Sequence, residues 1–205
     1  MDSIQMIQER RSVNYFDPTR KMDIAQVKKI IDLAVNAPSA YNLQPWRIIV
    51  IQSDEAKEKL WNLAYKQPKV KDAAVNLLIV GNKNGWDQNN PVWAEMLQSV
   101  GGNTEIVEGA QKGTAFTYGS SNERQIAFAN ANAGLLAMSI MYAAQSMGVD
   151  THPMNGYDND GVHKEFGLAE YEMPVMNITM GYFDQSKQLH PRRPRRGFEE
   201  IAKVI

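Results

Sequence analysis

The chain has 205 residues, 43% of them hydrophobic and 22% charged, with a formal net charge of −1 and no cysteine. That length and apolar content suit one domain over 1–205, or one domain with a lobe, built on a sizeable core. Near neutrality gives no global attraction for nucleic acid or an anionic membrane, and the missing thiols exclude disulfides, thiolate catalysis, iron–sulfur clusters and cysteine-based zinc sites together.

A cysteine-free chain fits a reducing compartment. No early apolar run follows a basic start, so no signal peptide is expected. No stretch reads as long and apolar enough to span a bilayer. The expected location is the cytoplasm.

In chain order, Asp2 is placed to cap a first helix ending near Glu9, with Gln5 at the capping-box position. Arg10-Arg11-Ser12 follows, then Val13 and Asn14. Two guanidiniums and a hydroxyl just past a helix suit an anion; a solvated surface pair is the plain alternative. Asp17-Pro18-Thr19 is a turn. Asp23 caps a second helix, with Ile24, Val27, Ile30, Ile31 and Ala34 on one face, and Asn36 and Pro38 end it.

The next stretch, Ala37 to Trp46, is dense in amides, hydroxyls and aromatics. Pro38 and Pro45 restrict its ends, while Ser39, Asn42 and Gln44 offer donors and acceptors to a planar polar ligand. The same groups could satisfy the connection's own backbone, and the residues alone leave both readings open.

Ile48–Ile51 reads as a buried strand, Glu55–Tyr65 as a helix with Leu60, Leu63 and Ala64 inward, Lys66–Lys71 as a basic connector, and Val75–Gly81 as a second strand. The segment 82–121 has weak periodicity and scattered aromatics: Trp86, Trp93, Phe116 and Tyr118. A helix from about Val92 to Val100 fits, within either a lid over a site or an ordinary surface lobe.

Asn122–Met147 is the longest helical pattern and is apolar nearly all round, so it should be buried on most sides and help form a subunit interface. Gly148 terminates it. Thr151–Tyr157 reads as a loop, Asp160–Phe166 as a short helix and Val175–Gly181 as a third strand. The tail carries Arg192, Arg193, Arg195 and Arg196 among Pro191 and Pro194; being short, stiff and followed by acids, it favours a local anion site over a nucleic-acid arm. Helices alternating with buried strands imply an α/β or α+β sandwich with helices covering a central sheet.

Several common chemistries lack their motifs. His152, His163 and His190 have no zinc-ligand spacing, and there is no HExxH, GxGxxG, Walker loop or GxSxG elbow. What remains is a scattered set in order: Arg10-Arg11-Ser12, Ala37-Pro38-Ser39 through Asn42-Leu43-Gln44-Pro45-Trp46, Pro153-Met154-Asn155-Gly156-Tyr157, Gly181-Tyr182, and Arg193-Pro194-Arg195 before Phe198-Glu199-Glu200-Ile201. In identity, order and spacing this set resembles the FMN-dependent nitroreductase family. It departs at Asn14, where many members carry Arg, and at Asn155, where acidic or small residues are frequent.

The resemblance implies an α+β fold with a mainly antiparallel sheet, flanked by helices, and a long central helix at a homodimer interface. It implies FMN bound between subunits. Arg10, Arg11, Ser12, Arg193 and Arg195 would hold its phosphate end, with Asn14 beside them. Pro38, Ser39, Ala40, Asn42 and Gln44 of the second subunit would line the ring. Gln67 and Lys69 would reach the pyrimidine edge, and Pro153, Met154, Asn155 and Gly156 would face the ring near N5. Tyr41, Trp93, Phe116 and Tyr118 would contact substrate. The implied chemistry is hydride transfer from NAD(P)H through the flavin to a nitroaromatic or quinone, in ping-pong fashion, with no side-chain acid or base. The same scaffold also supports reductive dehalogenation, azoline oxidation or flavin fragmentation, and a non-catalytic flavin-binding module is a further alternative.

Overall fold

A computed structural model describes residues 2–205. Four strands form one antiparallel sheet in the order β1-β2-β4-β3: β1 Trp46–Ile51, β2 Val75–Asn82, β3 Asp150–Met154 and β4 Glu172–Gly181. β2 is central and covered on both faces, which is why Val75, Leu77, Leu78, Ile79 and Val80 form a nearly unbroken apolar run. One face packs Val75, Leu77, Ile79, Ile178 and Met180 against α2 (Ile24–Ala34) and α7 (Asn122–Ser146). The other packs Leu78 and Val80 against α3 (Asp54–Leu63), α4 (Pro68–Asp72) and α8 (Asn159–Glu165). The expected sandwich is therefore present.

Helix starts follow their caps. Asp2, Asp23, Ser53, Ser121 and Asp158 each accept a bond from a first-turn amide. On α1 (Ser3–Glu9), Gln5 reaches forward to Glu9 instead of back to its cap. On α2, Val27, Ile30 and Ala34 are buried as their spacing predicts, while Ile24 in the first turn faces solvent.

Three segments differ from the sequence expectations. The basic connector contains α4, started by Pro68 at the first helical position, where a missing N–H costs nothing. Thr151–Tyr157 reads as a loop, yet Asp150–Met154 is a strand; it lies at a sheet edge, where Pro153 is tolerated. Its outer side is covered by the N-terminal segment, through a Ser12–Thr151 bridge and a Val13 amide bond to the Thr151 carbonyl at 3.0 Å. The weakly patterned segment folds into α5 (Val92–Ser99) and α6 (Thr104–Tyr118), which share a small core with Leu43 and Phe128.

α7 is about 37 Å long at 1.5 Å per residue. Contrary to the sequence expectation, it is long and apolar enough for a bilayer span by hydropathy alone, with a mean of 1.4. The fold uses it as a core helix: Ala133, Leu136, Ile140 and Ala144 are buried against the sheet and α2. Ala127, Ala131 and Leu135 form an exposed apolar stripe on its other side. A final short helix, α9 (Phe198–Ile201), ends the tail.

The topology separates two ends of the chain. Trp46 opens β1 opposite Gly81, while Asp150 opens β3 opposite Gly181, and β2 runs from the second level to the first. The segment before β1 and the segment beside β3 thus sit at diagonal corners of the sheet, about 14 Å apart across the strands and about 20 Å along them.

Candidate functional site

One corner holds a cationic cleft lined by Arg10, Arg11, Ser12, Pro191, Arg192, Arg193 and Arg195. Ser12 is fixed by its bridge to β3. The tail is tied back to the N-terminus by main-chain acceptors: Arg192 donates to the carbonyls of Glu9 at 2.6 Å and Arg10 at 3.4 Å, and Arg11 donates to the carbonyl of His190. Arg195 donates to the Arg193 carbonyl at 3.0 Å.

No carboxylate lines this cleft; Glu9 and Asp150 line an adjoining hollow, on the side of Val13 and Leu189, that shares Arg10 and Arg11 with it. The pKa of Arg10 is lowered, first by burial and then by the charges of Arg192 and Arg195, with Tyr142 opposing. One of its terminal nitrogens, Nη1, is buried without an acceptor. An unsatisfied buried donor costs about 1–3 kcal/mol, more when charged. An oxyanion at this point would supply the acceptor and relieve the repulsion, so the donor set fits a phosphate. Arg192 joins the cleft although the sequence pattern singles out Arg193 and Arg195; Asn14 and Arg196 are not part of its lining.

A second element lies at the start of α4. Gln67 donates to the Gly156 carbonyl at 2.8 Å and to the Ala64 carbonyl at 3.2 Å, and accepts from Lys69 Nζ at 3.1 Å. Burial lowers the Lys69 pKa. His152 on β3 is pushed down to about 4, by burial first and then by the Lys69 charge, with a weaker effect of Arg10. The imidazole thus feels both the Lys69 and the Arg10 charge, and no hydrogen bond joins it to either. Sequence spacing gives no reason to single out His152; its place between Thr151 and Pro153, beside the Met154-Asn155-Gly156 motif, is the available signal.

Met154 is buried with Tyr157 and Val162, so its side chain is taken up by the core. The Asn155 amide, turned to donate, bonds the carbonyls of Val175 at 3.2 Å and Met154 at 3.0 Å. Pro153 is half-buried on β3. The loop thus offers Gly156 and main chain to a ligand, more than side chains.

The Pro38–Gln44 connection occupies the opposite corner. Tyr41, Asn42 and Gln44 adopt φ of 53°, 57° and 45°, and Tyr65 and Lys66, just before Gln67, adopt 52° and 56°. Among the described residues, these five are the only non-glycine residues in the left-handed region. Each costs on the order of 1–2 kcal/mol, less for Asn. Strain confined to the two connections carrying candidate residues is an independent mark of a site.

The loop is held from below. The Ala40 amide donates to Asn132 Oδ1 of α7 at 2.9 Å, Asn90 Nδ2 donates to the Leu43 carbonyl at 2.8 Å, and Ser39 Oγ accepts from the Gln44 amide at 3.0 Å. Asn42 and Gln44 remain exposed. Tyr41 is half-exposed, its hydroxyl 3.6 Å from where a Cβ on Gly113 of α6 would stand.

The aromatics divide. Trp93 is 4% exposed and donates to the Asp87 carbonyl at 2.7 Å, and Tyr118 stacks on Phe128 at 4.6 Å, so both hold α5 and α6 onto the loop. Phe116 is 84% exposed. Phe116 and Tyr41 are thus the ones accessible to a substrate.

The sequence model of the Nitroreductase family matches residues 7–182. YodC of Bacillus subtilis, provisionally named an NAD(P)H nitroreductase, is 32% identical over 182 residues, covering 88% of this chain and 89% of that protein. The crystal structure of ydfN from Bacillus subtilis superposes with a TM-score of 0.90 at 28% identity, over 98% of both chains. A nitroreductase structure from Exiguobacterium sibiricum 255-15, in complex with FMN, superposes with a TM-score of 0.84 at 26% identity, over 100% of this chain and 98% of that one.

Proposed function

We propose, from the premise that this chain belongs to the nitroreductase family, that it is a cytoplasmic, homodimeric FMN-dependent oxidoreductase. It would use NAD(P)H to reduce an electron-poor acceptor such as a nitroaromatic or quinone. The observation that carries this reading is Arg10, half-buried with one guanidinium nitrogen lacking an acceptor, beside Arg11, Ser12, Arg192, Arg193 and Arg195 in one cleft.

When bound, FMN supplies a ring that accepts a hydride and passes it on. The chain's own part is binding, aim and electrostatics. Arg10, Arg11, Ser12, Arg193 and Arg195 would hold the phosphate. Lys69, already linked to Gln67, would place positive charge at the ring's pyrimidine edge, and Gly156 would bring main chain close to the ring. No acid–base side chain is assigned a role.

The dimer is supported by topology. The strained Ser39–Gln44 loop cannot reach the arginine cleft of its own chain across the sheet diagonal, so a second copy would supply it. Apolar surface is available for such a contact: Leu135 on α7, Ile4 and Ile7 on α1, and Phe198 and Ile201 on α9 are all exposed. Tyr41 and Phe116 would then stand over the neighbour's ring and face the acceptor.

Steady-state oxidation of NAD(P)H at varied quinone concentration tests the reading. One binding place used in alternation predicts parallel double-reciprocal lines; intersecting lines would contradict it.

A further inference from the structure

α4 has only five residues, yet two buried side-chain donors hold its main chain and a third holds one of those two. Lys57, on α3, is 4% exposed. Its ammonium donates to the carbonyls of Lys71 at 3.1 Å and Ala73 at 3.2 Å, at the C-terminal end of α4, where a cation complements the helix dipole. Asn76, on β2 and fully buried, donates to the Val70 carbonyl at 2.8 Å. Asn177, also fully buried on β4, donates to Asn76 Oδ1 at 3.2 Å and so fixes that amide's direction.

Burying an ammonium and two amides is costly unless their bonds are used. A connection between α3 and β2 could be closed with apolar residues. What these donors fix is one turn of backbone, with Gln67 at its N-cap and Lys69 next to Val70, whose carbonyl Asn76 grips. Gln67 is fixed in turn by the carbonyls of Ala64 and Gly156. The turn that carries the two side chains assigned above to the ring's pyrimidine edge is thus clamped from behind, through its main chain.

We propose that Lys57 and the Asn177–Asn76 pair are positioning residues: they set the aim of Gln67 and Lys69 and, through Lys69, the electron affinity of the flavin the site would hold. This rests on the FMN reading above. A rigidly aimed ammonium stabilises negative charge on the reduced ring, whereas one on a loosened turn is averaged over directions and screened by water. None of the three touches the cofactor; each acts through the α4 backbone.

The test is the midpoint potential of bound FMN in the wild type and in Lys57→Met, Asn76→Leu, Lys69→Met and the Lys57→Met/Lys69→Met double variant. Hydrogen exchange of the α4 amides is measured alongside. Lys57→Met and Asn76→Leu should each move the potential downward, in the direction of Lys69→Met, with faster exchange concentrated in α4. The double variant should fall no lower than Lys69→Met, because the clamp has no other output. Variants that melt earlier but keep the wild-type potential would show the clamp to be structural only and overturn the proposal. Should Lys57→Met fail to fold, Asn76→Leu carries the same comparison. A potential that Lys69→Met leaves unmoved would overturn the clamp and the Lys69 assignment together, and a wild type that takes up no FMN would overturn the parent reading.

Discussion

Replacing Arg10 with methionine should weaken FMN binding by roughly 10- to 100-fold, as expected for losing about 1.5–3 kcal/mol of charge-assisted hydrogen bonding. The partners left behind give the prediction its sign in the empty protein. Arg10 is half-buried, repelled by Arg192 and Arg195, and has a donor without an acceptor. Its removal should therefore leave the melting temperature of the FMN-free protein unchanged or higher, while that of the FMN-saturated protein falls. Flavin fluorescence titration and paired thermal melts read both quantities. A variant that binds FMN as tightly as the wild type would show that the cleft does not hold the phosphate.

The second large effect is complementation between two defective chains. Asn42→Leu places a residue intolerant of the left-handed region where φ is 57° and removes one of the loop's two exposed side-chain amides. It should reduce flavin loading strongly in the homodimer, as Arg10→Met does. The two defects lie at diagonal corners of one sheet. If each site takes its cleft from one chain and its loop from the other, a mixed dimer contains one site with both parts intact and one with both damaged. Co-expressed variants carrying different affinity tags should then yield a mixed dimer with about one FMN, against little in either parent. Mixed dimers as empty as their parents would place both parts of the site within one chain.

Much of the scaffold is legible in the residues because its signals are local. Asp2 and Asp23 announce helix starts, and the run Val75–Val80 announces a strand. β3 is hidden for a physical reason: it is a five-residue edge strand containing Pro153, so alternation and β-propensity are both weak, and pairing with β4 decides its state. α6 is similarly masked by Gly109, Gly113 and three threonines, which lower its intrinsic propensity until Val107 and Thr114 are buried.

The site divides in the same way. Arg10, Ser12, Arg193 and Arg195 can be named from type and order, and the structure brings them into one cleft. The sequence places Arg192 in a basic tail without assigning it to the cleft; the Glu9 and Arg10 carbonyls, far away in sequence, bring it there, as Lys69 and Arg10 set the surroundings of His152. Trp93 and Tyr118 show the converse. Their aromatic character fits a substrate pocket, but burial against Leu43 and Phe128 gives them a packing role.

Light scattering on a sizing column, with absorbance followed at about 450 nm where oxidised flavins absorb, tests the account most directly. The two-corner site predicts a single yellow species of twice the 23.1 kDa chain mass carrying one FMN per chain. A monomer that carries a full complement of flavin, or a dimer that stays colourless after incubation with FMN, would contradict it.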